Sequence, residues 1–186
     1  MPAESSRLRM SYAEYCERER DGANRHEYLR GEVVAVADET LEHGRLSARM
    51  IFLLSRELEG RPCRVFSSDV RVRIEATDLD TYPDASVVCC EPRQVANALL
   101  DPLVVVEVLS DSTEAYDRAE KASHYRRCPS LAAYLLVAQH QPRIELQVRR
   151  ADGGWSLIEA GPGERISIEP LAIELSVDEV FRSPAS

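Results

Sequence analysis

A single carboxylate inside an apolar stretch is the first feature of this sequence that could do chemistry. Glu107 lies in the segment 103–109, whose other members are all Leu or Val. A β-branched run of this length, entered through Pro102, predicts a central strand that is buried on both faces. Burying an ionised carboxylate costs several kcal/mol unless a cation or hydrogen bonds compensate. We therefore expect Glu107 to face a cation, near the strand end where open α/β sheets place ligands.

Two further residues could complete a catalytic site around Glu107. Asp84 follows Pro83 at the start of the preceding predicted strand, and Lys121 lies on the predicted helix after the Glu107 strand. If the two strands pair, both carboxylates can meet at one sheet edge and, with a carbonyl oxygen such as that of Val108, suit Mg²⁺ or Mn²⁺. Such an ion polarises a phosphoryl oxygen and ionises water, and a lysine steadies the developing charge. These residues predict metal-assisted phosphodiester hydrolysis.

The elements that must position these residues are predicted from periodicity and from capping signals. We expect helices over 11–20, 40–59 and 111–127, and strands within 64–74, 82–90, 103–109 and 131–138. A strand–turn–strand is expected over 26–37 and a hairpin over 143–159, with further strands over 166–175 and a terminal helical turn over 177–181. The pattern predicts one α/β or α+β domain with a mixed sheet covered by helices.

Each of these candidates also has a purely structural explanation. Asp84 could be an ordinary turn residue that precedes a strand. Glu107 could form a buried ion pair with Lys121, which does not exclude metal binding. Lys121 could pair with Asp117, which lies one helical turn before it on the same face.

Further polar residues have open roles. Glu27 and Glu32 begin two short predicted strands, and Glu27 is the better candidate for an extra carboxylate beside the metal. His43, on the inward face of the long helix, could bind substrate or transfer protons, although a hydrogen-bonded structural role is commoner. Arg71 and Arg73 alternate with apolar residues, which predicts that they solvate an exposed strand face, although they could contact phosphates.

The composition restricts the class of protein. A chain of 186 residues with 44% hydrophobic and 30% charged residues fits one globular domain. The net charge of −9 argues against a general polyanion-binding surface, yet carboxylate clusters recruit hard cations. The polar N-terminus predicts no signal peptide, and no apolar run reaches the roughly 20 residues that a membrane span needs.

The five cysteines include no CxxC pair, so neither a zinc site nor a disulfide framework is predicted. Cys89 and Cys90 end an apolar strand and are expected to be buried as small hydrophobic residues. This usage favours a reducing, cytoplasmic location.

Several motifs occur together in a fixed order: Arg25–Glu32 (RHEYLRGE), Glu42–His43, Tyr82–Asp84 (YPD), Leu103–Ser110, Ser112–Thr113, Asp117, Lys121, Tyr125 and Tyr134–Val137. Together they resemble the Uma2 family of endonucleases, within the PD-(D/E)XK nuclease superfamily. The resemblance covers about residues 11–181. It implies a single nuclease domain over 11–181, and we expect a flexible leader over 1–10 and a tail over 182–186.

The resemblance implies a restriction-endonuclease-like fold, with a mixed central β-sheet flanked by helices and an extra C-terminal hairpin. It implies that Asp84 and Glu107 hold Mg²⁺ or Mn²⁺, and that the catalytic set is Asp84, Glu107, Lys121 and Glu27. The superfamily lysine expected two residues after the acidic residue is Leu109 here, and Lys121 on the following helix is the residue that takes over. His26 stands where the family more often has Tyr or Phe.

Three functions stay open at this point. The first is a metal-dependent endonuclease that acts on nucleic acid, with DNA as the expected substrate. The second is a catalytically silent binding or assembly module that keeps the nuclease fold, which Leu109 and the acidic charge favour. The third is a metal-dependent hydrolase of a different substrate. The apolar hairpin, the C-terminal strand and the family resemblance also suggest a homodimer.

Overall fold

Two β-sheets supply most of the regular structure of the protein. The computed structural model describes residues 8–22, 24–36 and 39–182. In chain order, the strands are β1 (Leu8–Arg9), β2 (His26–Leu29), β3 (Glu32–Ala35), β4 (Arg64–Ser67), β5 (Arg71–Ile74), β6 (Leu79–Thr81), β7 (Ala85–Val88), β8 (Gln94–Val95), β9 (Ala98–Leu99), β10 (Val104–Leu109), β11 (Ala133–Ala138), β12 (Ile144–Arg149), β13 (Trp155–Ala160), β14 (Arg165–Ile168) and β15 (Ile173–Ser176).

One sheet is the predicted mixed central sheet. Its six strands lie in the order β13-β12-β11-β10-β7-β4, and every pair is antiparallel except β10 with β11. All six residues of β10 are buried, as the apolar run around Glu107 predicts. The predicted C-terminal hairpin is β12–β13, which extends this sheet to its edge.

The other large sheet is one that the sequence patterns did not separate from the first. Its seven short strands lie in the order β1-β3-β2-β6-β5-β9-β8, and β14 and β15 form a two-stranded sheet of their own. The predicted strand–turn–strand is β2–β3. Of the predicted leader, Leu8–Arg9 form β1 and pair with β3, and residues 1–7 lie outside the described residues.

The helices are α1 (Tyr12–Asp21), α2 (Leu41–Glu57), α3 (Glu114–Tyr116), α4 (Ala122–Tyr125) and α5 (Val177–Phe181). Ser11 caps α1 with a capping box, and Thr40 caps α2 by accepting from the His43 backbone N–H. A π-helical turn, Asp117–Lys121, joins α3 to α4, so that the predicted second helix contains an irregularity. Of the described helices, none is long and apolar enough to span a membrane.

Strand β10 lies between two layers because its residues alternate between faces. Val104, Val106 and Val108 pack in one core with the apolar residues of α2, which are Leu46, Met50, Leu53 and Leu54. Val105 and Leu109 pack in a second core with Tyr125 of α4 and with residues of the seven-stranded sheet, including Val72, Ile74 and Leu79. Glu107 therefore points toward the side of α3, α4 and the second sheet.

The prediction that Arg71 and Arg73 solvate an exposed face is wrong. Both side chains are buried: Arg71 lies 3.2 Å from the buried Asp80 carboxylate, and Arg73 pairs with Asp78. Helix α1 covers this face with tyrosines, and the Arg73 guanidinium lies 3.9 Å from the Tyr12 ring centroid. Alternation shows that the two faces of a strand differ in polarity, but it does not show that the polar face is exposed to solvent.

The cysteine spacing gives no signal for a disulfide, but the structure contains one. Cys63 and Cys89 form it, and they continue the β4–β7 register one residue beyond the Arg64–Val88 pair. Cys90 is exposed and not buried as expected, while Cys16 and Cys128 are buried free thiols. The partners are far apart in sequence, so only the strand register brings them together. A reducing cytoplasm disfavours disulfide bonds.

Candidate active site

The chain passes from one sheet to the other at Tyr82–Asp84, between β6 and β7. Pro83 has no N–H to donate to a sheet, so it suits a point where strand pairing ends. In the antiparallel β7–β10 pair Ala85 lies opposite Val106, and continuing this register by one residue sets Asp84 opposite Glu107. Asp84, just before β7, and Glu107, within β10, both line one cavity.

A cavity of about 460 Å³ opens beside these two residues. Both sheets, the start of α2 and the segment from Ser110 to Lys121 contribute to its wall. Most charged residues of the lining are carboxylates: Glu27, Glu32, Glu39, Asp84, Glu107, Asp117 and Glu120. Only His43 and Lys121 of the lining residues can carry positive charge. This excess of negative charge favours the binding of cations.

A cation lies next to the buried Glu107 carboxylate, as its burial predicts. Its side chain accepts from the Tyr125 hydroxyl at 2.9 Å and lies 2.9 Å from the Lys121 Nζ, and the residue is only 5% exposed. Burial raises the pKa of Glu107 well above its ordinary value, and the charge of Lys121 opposes this rise. The predicted ion pair is therefore present in the structure.

Lys121 is surrounded by three carboxylates. Its Nζ lies 2.9 Å from Glu107, 3.1 Å from Glu27 and 3.6 Å from Asp117. Burial alone would lower the pKa of Lys121, but Glu107 and Glu27 raise it well above its ordinary value, so the side chain is an ammonium ion. Lys121 closes the π-helical turn, and π-helical turns are frequent at functional sites.

Lys121 is also the only lysine in the chain; the other 22 of the 23 basic residues are arginines. An ammonium group is a compact point charge, whereas a guanidinium is a broad planar fork. The one lysine of this sequence lines an acidic cavity.

Asp84 is held by groups from two elements. The Val108 N–H of β10 donates to its Oδ2 at 2.7 Å, and the Ser47 hydroxyl of α2 donates to its Oδ1 at 2.9 Å. His43 Nε2 lies 3.3 Å from Asp84 Oδ2, and His43 Nδ1 lies 3.0 Å from Glu39 Oε2. Burial alone would lower the pKa of His43, but the hydrogen bonds to Asp84 and Glu39 outweigh it and raise the pKa to about 10.

The donor set of this cavity fits a divalent metal ion. Glu39, His43 and Asp84 each offer a ligand atom, and these atoms all lie within 4.8 Å of one another. Carboxylate oxygens with one imidazole nitrogen suit first-row divalent ions. Among the described residues, the group of three that meets this distance includes Asp84 but not Glu107. Glu107 lines the same cavity as this group.

Comparison with known proteins places the chain in a family. A family model for Uma2, described as "putative restriction endonuclease", matches residues 12–178. The chain belongs to the Uma2 family. Two relatives from Synechocystis sp. (strain ATCC 27184 / PCC 6803 / Kazusa) are the uncharacterized proteins slr1290 and sll1609. The first is 34% identical over 179 residues, covering 95% of this chain and 94% of the relative; the second is 34% identical over 163 residues, covering 86% and 92%.

A solved structure shares the fold of this Uma2 protein. It is the crystal structure of a putative nuclease belonging to DUF820 from Anabaena variabilis ATCC 29413, with a TM-score of 0.68 at 16% identity. The match covers 84% of this chain and 89% of the other. The mixed α/β architecture that the sequence patterns predict is therefore confirmed, and the DUF820 protein shares it.

All four residues that the sequence proposes for catalysis line one cavity in this Uma2 chain: Glu27, Asp84, Glu107 and Lys121. Asp117 and Glu32 line it as well, and Glu32 also pairs with Arg9. Sequence reasoning missed two residues that contact the site, Glu39 and Ser47. A signal existed for Ser47, which lies one turn after His43 on the same helix face. Glu39 precedes the N-cap Thr40, so helical spacing does not predict its contact.

Proposed function

We propose that this Uma2 protein is a divalent-metal-dependent endonuclease that hydrolyses phosphodiester bonds of nucleic acid, with DNA as its substrate. One observation carries the proposal. Asp84 and Glu107 line one acidic cavity, and Lys121 Nζ lies 2.9 Å from Glu107. The family description and the fold of the DUF820 structure support nuclease activity.

In this proposal Asp84 and Glu107 hold Mg²⁺ or Mn²⁺, together with the carbonyl oxygen of Val108. When bound, such an ion polarises a phosphoryl oxygen and lowers the pKa of water toward neutrality. Hydrogen bonds from Ser47 and from the Val108 N–H fix the Asp84 carboxylate before any ligand arrives, so less reorganisation is needed.

Lys121 steadies the negative charge that develops on the phosphoryl group in the transition state, and it takes the place of the lysine that Leu109 replaces. Glu27 positions the ammonium group from the opposite sheet, since its Oε1 lies 3.1 Å from Lys121 Nζ. The Thr81 hydroxyl bonds the same Glu27 oxygen, which fixes its direction. The Tyr125 hydroxyl fixes Glu107 in the same way.

The acidic lining of the cavity favours a second candidate, a metal-binding module or hydrolase that does not act on nucleic acid. Seven carboxylates surround the two basic groups, and a polyanion would be repelled unless metal ions offset this charge. The net charge of −9 also repels a polyanion. Under the nuclease proposal, metal binding must therefore come before nucleic-acid binding.

A cleavage assay tests the proposed function. Purified protein is incubated with supercoiled, linear and single-stranded DNA and with RNA, in Mn²⁺, Mg²⁺ or EDTA. We expect cleavage of DNA with either metal, no cleavage in EDTA, and DNA binding that weakens as salt rises because phosphates are contacted. The second candidate would instead be favoured if the protein binds metal but neither cleaves any nucleic acid nor binds it in a salt-dependent way.

A homodimer belongs to the same proposal. Strand β13 is an edge of the six-stranded sheet, and its Leu157 and Ile158 are 58% and 46% exposed. An open edge strand with exposed apolar side chains is a surface that a second copy can cover. Light scattering should give about twice the chain mass; a mass near 20.9 kDa would contradict the dimer.

We also place the protein in the cytoplasm, since Cys16, Cys90 and Cys128 are free thiols. The Cys63–Cys89 disulfide is the feature that opposes this location. Cell fractionation tests the cytoplasmic location, and recovery of the protein from an oxidising compartment would contradict it.

A further inference from the structure

We propose that His43 is a nitrogen ligand of the catalytic metal ion and that Glu39 positions it, so that the site prefers Mn²⁺ to Mg²⁺. This inference rests on the proposed function, because it concerns the same ion that Asp84 and Glu107 would hold. It adds a third element, helix α2, to a site that the sequence builds from two strands.

The fold places His43 next to Asp84, one of the two proposed metal-binding carboxylates. Thr40 caps α2 and accepts from the His43 N–H at 3.1 Å, which fixes His43 in the first turn of a 17-residue helix. From there His43 is only 4% exposed, and its Nε2 lies 3.3 Å from Asp84 Oδ2. Ser47, one turn later, donates to the other Asp84 oxygen. Helix α2 therefore presents two side chains to the proposed metal ligand.

Glu39 gives His43 the second contact that metal-binding histidines have. Histidines that bind metals almost always donate the N–H of the other ring nitrogen to a carboxylate, a carbonyl or water. Glu39 Oε2 lies 3.0 Å from His43 Nδ1, which leaves Nε2 as the nitrogen that faces Asp84 and the cavity. A metal ion bound at Nε2 would require that nitrogen to be deprotonated, and a proton held there would pass to solvent.

The chemistry of the donor set gives the selectivity. Mg²⁺ prefers oxygen ligands and retains its waters, whereas the transition-metal ion Mn²⁺ accepts an imidazole nitrogen more readily. An imidazole that replaces one oxygen ligand therefore raises the affinity for Mn²⁺ relative to Mg²⁺. An alternative in which His43 only hydrogen-bonds Asp84 gives no such selectivity and no metal–nitrogen bond.

The test measures metal binding and not cleavage. Calorimetric titrations with MnCl₂ and MgCl₂ are made on the full chain and on His43→Ala and Glu39→Gln. His140→Ala is the histidine control, because His140 is exposed and pairs with Asp111 outside the cavity lining. Glu42→Gln is the glutamate control, because Glu42 lies on the same helix and pairs with Arg45. Pulsed electron paramagnetic resonance then detects nitrogen bound to Mn²⁺.

We expect a ¹⁴N coupling in the wild-type Mn²⁺ spectrum, which disappears in His43→Ala and persists in Glu39→Gln. His43→Ala should weaken Mn²⁺ binding at least about 10-fold and should reduce the preference for Mn²⁺ over Mg²⁺. Glu39→Gln should weaken Mn²⁺ binding by about 10-fold. Both controls should bind as the wild type does.

Two outcomes would overturn the inference, and they are distinguishable. Mn²⁺ that binds wild-type protein through oxygen alone contradicts the role of His43 but leaves the metal-dependent nuclease intact. Wild-type protein that binds neither ion contradicts the proposed function itself and the inference with it. If His43→Ala fails to fold, the wild-type nitrogen signal alone decides.

Discussion

Replacing Asp84 by Asn or Glu107 by Gln should reduce metal-dependent DNA cleavage by about 10³-fold or more, while the protein stays folded. Both substitutions keep the size of the side chain and remove its charge, so metal binding is lost with little change in packing. The magnitude follows from the several kcal/mol that preorganised charge contributes to a transition state, since each 1.4 kcal/mol is about a tenfold change in rate. Single-turnover cleavage in Mn²⁺ measures it.

Two exposed acids provide matched controls for these substitutions. Asp152→Asn and Glu91→Gln make the same chemical changes on side chains that are 65% and 86% exposed and outside the cavity lining. Both controls should cleave DNA at the wild-type rate. Cleavage that survives Asp84→Asn and Glu107→Gln would show that the assigned site is wrong, whatever other nuclease activity the protein has.

Lys121→Met should have the second largest effect, and it should act on activity and stability together. The substitution keeps a long side chain but removes the cation that lies 2.9 Å from the buried Glu107. Breaking a buried ion pair by removing one partner costs about 3–5 kcal/mol, because the remaining charge is uncompensated. Cleavage should fall by about 10²- to 10³-fold, since a charge that stabilises the transition state is lost.

Urea unfolding in EDTA and in Mn²⁺ separates the two roles of Lys121. In EDTA the variant should lose stability, and Mn²⁺ should restore part of the loss because the same carboxylates then face a cation. Cleavage should stay low in Mn²⁺, since the ion does not replace the lysine at the phosphoryl group. Lys121→Arg is the matched control: it keeps the charge, so stability should fall less than in Lys121→Met. Unchanged cleavage in Lys121→Met would contradict its catalytic role.

The sequence offers a direct way to observe this side chain. Because Lys121 is the only lysine, labelling with ¹³C-lysine produces one side-chain signal without any assignment experiment. Addition of Mg²⁺ should shift this signal in wild-type protein and should leave it unshifted in Asp84→Asn.

The central strand could be predicted from the sequence because its signal is local. Seven consecutive residues, with one charge among Leu and Val, are enough to predict both β10 and the need of Glu107 for a cation. The capped start of α2 and the shared face of Asp117 and Lys121 depend on spacings of three or four residues, which helix geometry fixes. These features hold in the structure.

The features that were missed depend on pairing between distant segments. The alternation at Arg71 and Arg73 shows two faces but gives no sign of α1, whose tyrosines cover the polar one. The Cys63–Cys89 disulfide depends on the β4–β7 register, which no local pattern encodes. The division into two sheets follows from the crossing at Tyr82–Asp84, which in the sequence resembles an ordinary turn. Glu39 reaches the site only because α2 places His43 over Asp84.

The most direct test of the central claim is a crystal structure of the protein soaked in MnCl₂, with an anomalous difference map calculated at a wavelength where manganese scatters. A shared metal site predicts a peak between the Asp84 and Glu107 carboxylates at roughly 2.0–2.3 Å from oxygens of both. A map with no peak in the cavity, or with peaks only on other acidic parts of the surface, would contradict the account.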